Sequence, residues 1–112
     1  MKKIFLVCSV RNASDEEKAA QEEYVKKLEA KGDKVYWPHR DTKQDDPTGL
    51  NIIAQNRQGI IEADEIHFWW KHRPDGSSES EGSVFDFGMT WMAMLLMPEK
   101  KIVIANVAFW KK

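Results

Sequence analysis

Five consecutive apolar residues, Ile4-Phe5-Leu6-Val7-Cys8, follow a pair of lysines near the start of the chain. A strand with one face in water alternates apolar and polar side chains, whereas an unbroken run demands burial on both faces, as for an inner strand of a parallel sheet. Parallel strands cannot be joined by tight hairpins and need crossovers, usually helices. This one run therefore commits the chain to an α/β architecture with apolar cover on both sides of its sheet.

The remaining residues supply the other elements. Ser14-Asp15-Glu16-Glu17 is a capping box that opens a helix with Ala20, Tyr24 and Leu28 at helical spacing, closed by Gly32. Lys34 to Trp37 reads as a second strand, ended by Pro38, and the polar stretch from His39 to Pro47 reads as a loop. A helix from Thr48 or Gly49 to about Ala63 carries Leu50, Ile53, Ile60 and Ile61. Ile66 to Trp70 is a third strand, and Lys71 to Ser80, rich in Gly, Ser, Pro and charge, is a loop. The stretch from Ser83 to Met97 is apolar on most sides, which predicts a largely buried helix ending before Pro98. Lys101 to Ala105 is a fourth strand, and Val107-Ala108-Phe109-Trp110 is a short edge strand or a packing tail. Alternating strands and helices predict a three-layer, flavodoxin/Rossmann-like α/β sandwich, with a parallel sheet of 4–5 strands and helices on both faces. At 112 residues the chain suits a single domain spanning 1–112.

Charge and composition narrow the partners. Seventeen basic and eighteen acidic residues give a net charge of −1, and they are spread along the chain, which favours neither a nucleic acid polymer nor a membrane surface. The apolar run from Val84 to Met97 contains Asp86 and is too short to span a bilayer. The lone Cys8 excludes an intrachain disulfide, reads as a small core residue, and points to a reducing cytoplasm. His39, His67 and His72 lack metal-ligand spacing, so no metal is expected. Neither a GxGxxG after strand one nor a P-loop is present, so dinucleotide binding and NTP hydrolysis have no local support and no cofactor is expected.

In such sheets ligands bind beyond the carboxyl ends of the strands, a rule that gathers the loops 9–12, 38–45 and 71–83 at one edge. Ser9 and Arg11 suit a phosphate, and His39, Arg40 and Asp41 suit a base or sugar or else pair with one another on the surface. The corner Ser80-Glu81-Gly82-Ser83-Val84-Phe85-Asp86-Phe87-Gly88 joins small residues before a helix, whose N–H groups can face an anion, to a carboxylate in its first turn. The same corner also reads as a helix cap at Ser83 with an acid three residues on. Asp64 stands at a helix end, where the dipole mildly disfavours a carboxylate.

The run Phe5-Leu6-Val7-Cys8-Ser9-Val10-Arg11, the pair Ala63-Asp64 and the stretch from Ser80 to Gly88, in this order and spacing, resemble the nucleoside 2-deoxyribosyltransferase-like family, which includes the 2′-deoxynucleoside 5′-monophosphate N-hydrolases. The likeness covers nearly the whole chain. It implies that a carboxylate attacks the anomeric carbon of a nucleoside or its 5′-monophosphate, releases the base and leaves a glycosyl ester for water or a second base to take. By position Asp86 matches the nucleophile, Asp64 the assisting acid, Ser80 a serine typical of the hydrolases, and Ser9, Arg11, Gly82 and Ser83 contacts to phosphate or sugar. The resemblance also implies a homodimer or higher homo-oligomer, with Asn106 and the aromatic tail contributing to a partner's pocket. This chain departs from the family at Asp86, where glutamate is usual, and in lacking the tyrosine of strand one. A non-catalytic nucleotide-binding module of the same fold therefore stands as the alternative.

Overall fold

The computed structural model describes residues 1–8, 14–42, 49–69 and 81–105, and for 81–85 the backbone alone. Strand β1 (Lys3–Val7) lies inside a sheet of order β2-β1-β3-β4, with β2 at Lys34–Tyr36, β3 at Glu65–Phe68 and β4 at Lys101–Ile104. Every pairing is parallel: Ile4 faces Val35 on one side and Glu65 on the other, and Ile66 faces Ile102. Phe5, Leu6 and Val7 have no exposed surface, which is why this segment tolerates no polar residue.

The sheet has two covers. Helix α1 (Asp15–Ala30) lays Val25 and Leu28 over Ile4, Leu6, Val35 and Trp37. On the other face α3 (Leu50–Glu62) and α4 (Glu81–Leu96) share one core with Phe5, Val7, Ile66 and Phe68, to which α3 brings Ile60 and α4 brings Phe87, Met89 and Ala93. This is the expected three-layer sandwich, with four strands among the described residues.

Local chemistry sets the ends of these elements. Ser14 Oγ accepts the N–H of Glu17 at 3.1 Å, and α1 stops where Gly32, at φ 95°, lets the N–H groups of Gly32 and Asp33 turn back to Glu29 and Leu28. Lys100 Nζ donates to the carbonyls of Ile61 and Ala63, placing a cation on the negative end of α3. Gly59 faces Phe5: a Cβ there would come within 2.6 Å of the ring, so glycine sets how closely α3 approaches β1.

Three expectations need correction. Pro38–Asp41 forms a short helix, α2, within the stretch read as a loop; four residues are too few to show a period, and the turn is held by the Asp41 carboxylate accepting the N–H of Trp37 at 2.8 Å. Helix α4 begins at Glu81, so Ser83 lies inside the helix and Asp86 in its second turn. Its outer side is also bare, since Trp91, Met92, Leu95 and Leu96 are exposed.

Candidate active site

The carboxyl ends of the strands converge on Cys8, Trp37, Trp69 and Ala105, and the ladder continues there through Trp69 N–H to Val7 O at 2.7 Å and Ala105 N–H to Phe68 O at 2.9 Å. Helices return antiparallel to the strands in this topology, so α4 starts at that same edge and brings Asp86 to it. The residue is only 7% exposed. Burial disfavours its charged form and raises the carboxyl from an ordinary 3.8 to about 7. One turn on, the fully buried Thr90 donates its hydroxyl to the carbonyl of Asp86 at 2.8 Å, so this part of α4 leaves no polar side chain unsatisfied at Thr90.

Cys8 lies close enough for the Asp86 charge to act on it. Burial pushes the thiol far up, the Asp86 charge adds to this, and a hydrogen bond from Trp37 opposes it. The thiol stays protonated, so Cys8 is a neutral wall of the corner and no nucleophile. Trp37 donates its indole N–H to Gln21 Oε1 at 3.1 Å, its ring is 5.4 Å from that of His39, and Gln21 Nε2 has no partner among the described residues. Gln21 and Trp37 are polar-bearing residues that the sequence reading passed over. A signal was present: Gln21 occupies the same helix stripe as Val25 and Leu28, where an apolar residue is expected.

The structure brings together only part of the expected set. Asp86 shares its corner with Cys8, and His39 lies on Trp37 at the same edge. Arg40 is committed elsewhere. Its guanidinium holds both Asp41 carboxylate oxygens at 2.9 Å, Glu29 at 3.2 Å and the carbonyl of Val35 at 2.8 Å, so Arg40 and Asp41 pair with each other and tie α2 to α1 and β2. Gly82 and Ser83 lie in the first turn of α4, where backbone N–H groups have no intrahelical acceptor. Ser9, Arg11, Ser80 and Asn106 lie outside the described residues.

Asp64 stands apart from Asp86. Its carboxylate accepts the N–H of Lys3 at 2.9 Å and its own N–H donates to the carbonyl of Lys3 at 2.7 Å, at the amino edge of the sheet. Five residues of strand separate Lys3 from Cys8, roughly 16 Å. A carboxyl that precedes a strand cannot serve chemistry beyond the strand's far end. A shallow cleft between Lys34, Tyr36 and Glu62 opens at this same amino edge, away from Asp86. No group of three His, Cys, Asp or Glu side chains among the described residues is placed to hold a metal ion. No described helix is long and apolar enough to cross a membrane.

The sheet order and the helices on both faces define a flavodoxin-like α/β protein, with Asp86 buried at the carboxyl edge of its sheet. Among solved structures the chain is similar to the CMP N-glycosidase BcmB of Clostridium botulinum, with a TM-score of 0.63 and 20% identity over 92% of this chain and 70% of that one. At that identity the likeness establishes the shared fold. No protein-family model matches the chain, and no curated protein does.

Proposed function

We propose that this chain cleaves the N-glycosidic bond of a nucleoside 5′-monophosphate, with Asp86 as the nucleophile. The observation that carries the reading is the burial of Asp86 at the carboxyl edge, beside Cys8 and on the helix whose first N–H groups face the same way. A carboxyl at about 7 is part ionised at neutral pH, and its ionised form is poorly solvated and reactive. The fold shared with a CMP N-glycosidase supports this chemistry over the others available to a flavodoxin-like sheet.

In the proposed reaction a carboxylate oxygen of Asp86 attacks the anomeric carbon as the bond to the base nitrogen breaks. The bond pair leaves with the base, which takes a proton, and water then hydrolyses the glycosyl ester to return the carboxylate. The first turn of α4 at Gly82 and Ser83, with Ser9 and Arg11, would hold the 5′-phosphate. Ser80 and Arg11 favour hydrolysis of a phosphorylated substrate over base transfer. Asp64 has no part in this scheme, so the proton for the base comes from water or from another residue at the carboxyl edge.

One observation favours a second reading, a nucleotide-binding module without turnover: an aspartate reaches about one methylene less far than the usual glutamate, and a misplacement of that order costs about 10²-fold in rate. Incubation with ribo- and deoxynucleoside monophosphates, read as free base, separates the two. Release of base with an adduct on Asp86 by mass spectrometry supports catalysis; a ligand-induced thermal shift without release supports the module. Turnover undiminished in Asp86→Asn removes Asp86 from the role.

A further inference from the structure

The reaction proposed above leaves one proton without a source. A nucleobase that departs with the bond pair is a poor anion at neutral pH, so an acid placed against its ring speeds the step. Asp64 is bonded to Lys3 at the amino edge and cannot supply it. The acid must stand at the carboxyl edge, and its identity rests on the reading of Asp86 as the nucleophile.

Among the described residues the buried or half-buried titratable side chains at that edge are Cys8, Glu17, Tyr36, His39 and Asp86. Asp86 is taken by the attack. Burial pushes the Cys8 thiol far up, so it holds its proton too tightly to give it. The Tyr36 hydroxyl lies 2.8 Å from Thr42 Oγ1, and its ring is stacked on Phe5 in the core under α3 and α4. Glu17 stands in the first turn of α1, where a carboxylate complements the helix dipole and suits accepting a proton over giving one. His39 remains. Imidazole is the side chain best fitted to give a proton and take it back near neutral pH.

Successive contacts place His39 relative to Asp86. The Asp86 charge acts on Cys8, Trp37 hydrogen-bonds Cys8, and the Trp37 ring lies 5.4 Å from that of His39. His39 thus stands across one indole from the corner that holds the nucleophile. That separation suits a base. The proton goes to a ring atom remote from the glycosidic nitrogen, so acid and nucleophile stand further apart than the roughly 5 Å of a retaining O-glycosidase, whose acid meets the bridging oxygen itself. The short helix that carries His39 is also well fastened. Pro38 fixes its first turn, Asp41 accepts the N–H of Trp37 at 2.8 Å, and Arg40 ties it to Glu29 and to the Val35 carbonyl.

We propose that His39 is the acid–base residue of this reaction. Its imidazolium donates a ring proton to the base as the bond pair between the anomeric carbon and the base nitrogen leaves, and the base departs neutral. The imidazole then takes a proton from water as the water oxygen attacks the anomeric carbon. The bond pair of the glycosyl ester returns to Asp86, which frees the sugar phosphate and restores both residues.

The ribo- and deoxynucleoside monophosphate that wild type cleaves fastest is compared with analogues whose base carries fluoro or nitro substituents and leaves more readily as an anion. His39→Gln should slow release of the parent base by about 10²- to 10⁴-fold, with a loss that shrinks as the base becomes a better leaving group. His39→Phe, which keeps a ring against Trp37, should show the same pattern, and thermal melting establishes that each variant is folded. An equal loss across the series marks a binding or structural role and overturns the proposal. Full activity of both variants overturns it too, as does the graded loss appearing in Glu17→Gln in place of the His39 variants. In those cases loss of release in Asp86→Asn leaves the nucleophile standing; a wild type that cleaves none of the nucleotides removes the proposed reaction and the role of His39 together.

Discussion

The phenol oxygen of Tyr24 lies 2.6 Å from Nδ1 of His67, fastening α1 to β3 through a second polar bond in the layer that also holds the Gln21–Trp37 pair. The contact continues outward, with His67 Nε2 2.9 Å from Glu65 and Glu65 3.1 Å from Lys2. The hydrogen bond to His67, with help from Lys2, holds the Glu65 carboxyl below the usual range. Tyr24→Phe would keep the ring against Trp69 and leave a nitrogen of the buried His67 without its partner. The expected loss is about 1–2 kcal/mol in urea unfolding at neutral pH, with no change in the slope against denaturant.

Asp86 makes stability depend on pH in the direction opposite to an ordinary salt-bridged carboxylate. Its folded value, about 7, lies above the ordinary 3.8, so the folded chain holds the proton more tightly. That contribution is complete below the unfolded value and is lost as pH rises through about 7. Asp86→Asn, which cannot ionise, should therefore be more stable than wild type at pH 8, by up to about 4 kcal/mol, and near parity at acid pH. Urea melts at the two pH values read the difference. On the proposed reaction, base release by the wild type should rise through the same interval as Asp86 ionises.

Arg40 is a brace between α2, α1 and β2. Arg40→Lys would replace a planar fork holding Asp41, Glu29 and the Val35 carbonyl by a single ammonium. The expected outcome is a stability loss of about 1 kcal/mol, smaller in high salt, with nucleotide affinity by calorimetry unchanged when measured well below the melting temperature.

Gly59 is set by contact and by no special backbone angle. Gly59→Ala would put a methyl group 2.6 Å from the Phe5 ring, which has no exposed surface and is stacked on Tyr36 at 5.2 Å. The gain in helix propensity, about 1 kcal/mol, is outweighed by overpacking of about 1–3 kcal/mol. Thermal unfolding should show net destabilisation, relieved by Phe5→Leu in the double variant.

The β1 run, the Ser14 cap and the Gly32 stop were legible because each is a local pattern with one physical meaning, and together with strand spacing they fix the parallel sheet. The site was less legible. Asp64 matched a role by its order in the chain, but a residue just before a parallel strand stands at the amino edge, and that argument follows from topology alone. Arg40 and Asp41 were readable as either a binding pair or a surface pair, and only the positions of Glu29 and the Val35 carbonyl decide between them. Gln21 escaped because Ala20, Tyr24 and Leu28 already accounted for the helix. The bare side of α4 escaped for another reason: apolar composition tells how much cover a helix wants, and the number of neighbours this chain has to give is a property of the assembled layers.

The place of β1 in the sheet has a consequence for how the chain reaches its native state. Ile4 is in register with Glu65, 61 positions away, and with Val35, 31 positions away. The middle strand is thus made first and completed late. During synthesis β2 can pair with one edge of β1 early, but the other edge of Phe5, Leu6 and Val7 stays open until β3 has emerged, and closing that longer loop is entropically costly before its pairing rewards it. The same five residues that announce the fold are therefore the segment most in need of protection while the fold is still being made.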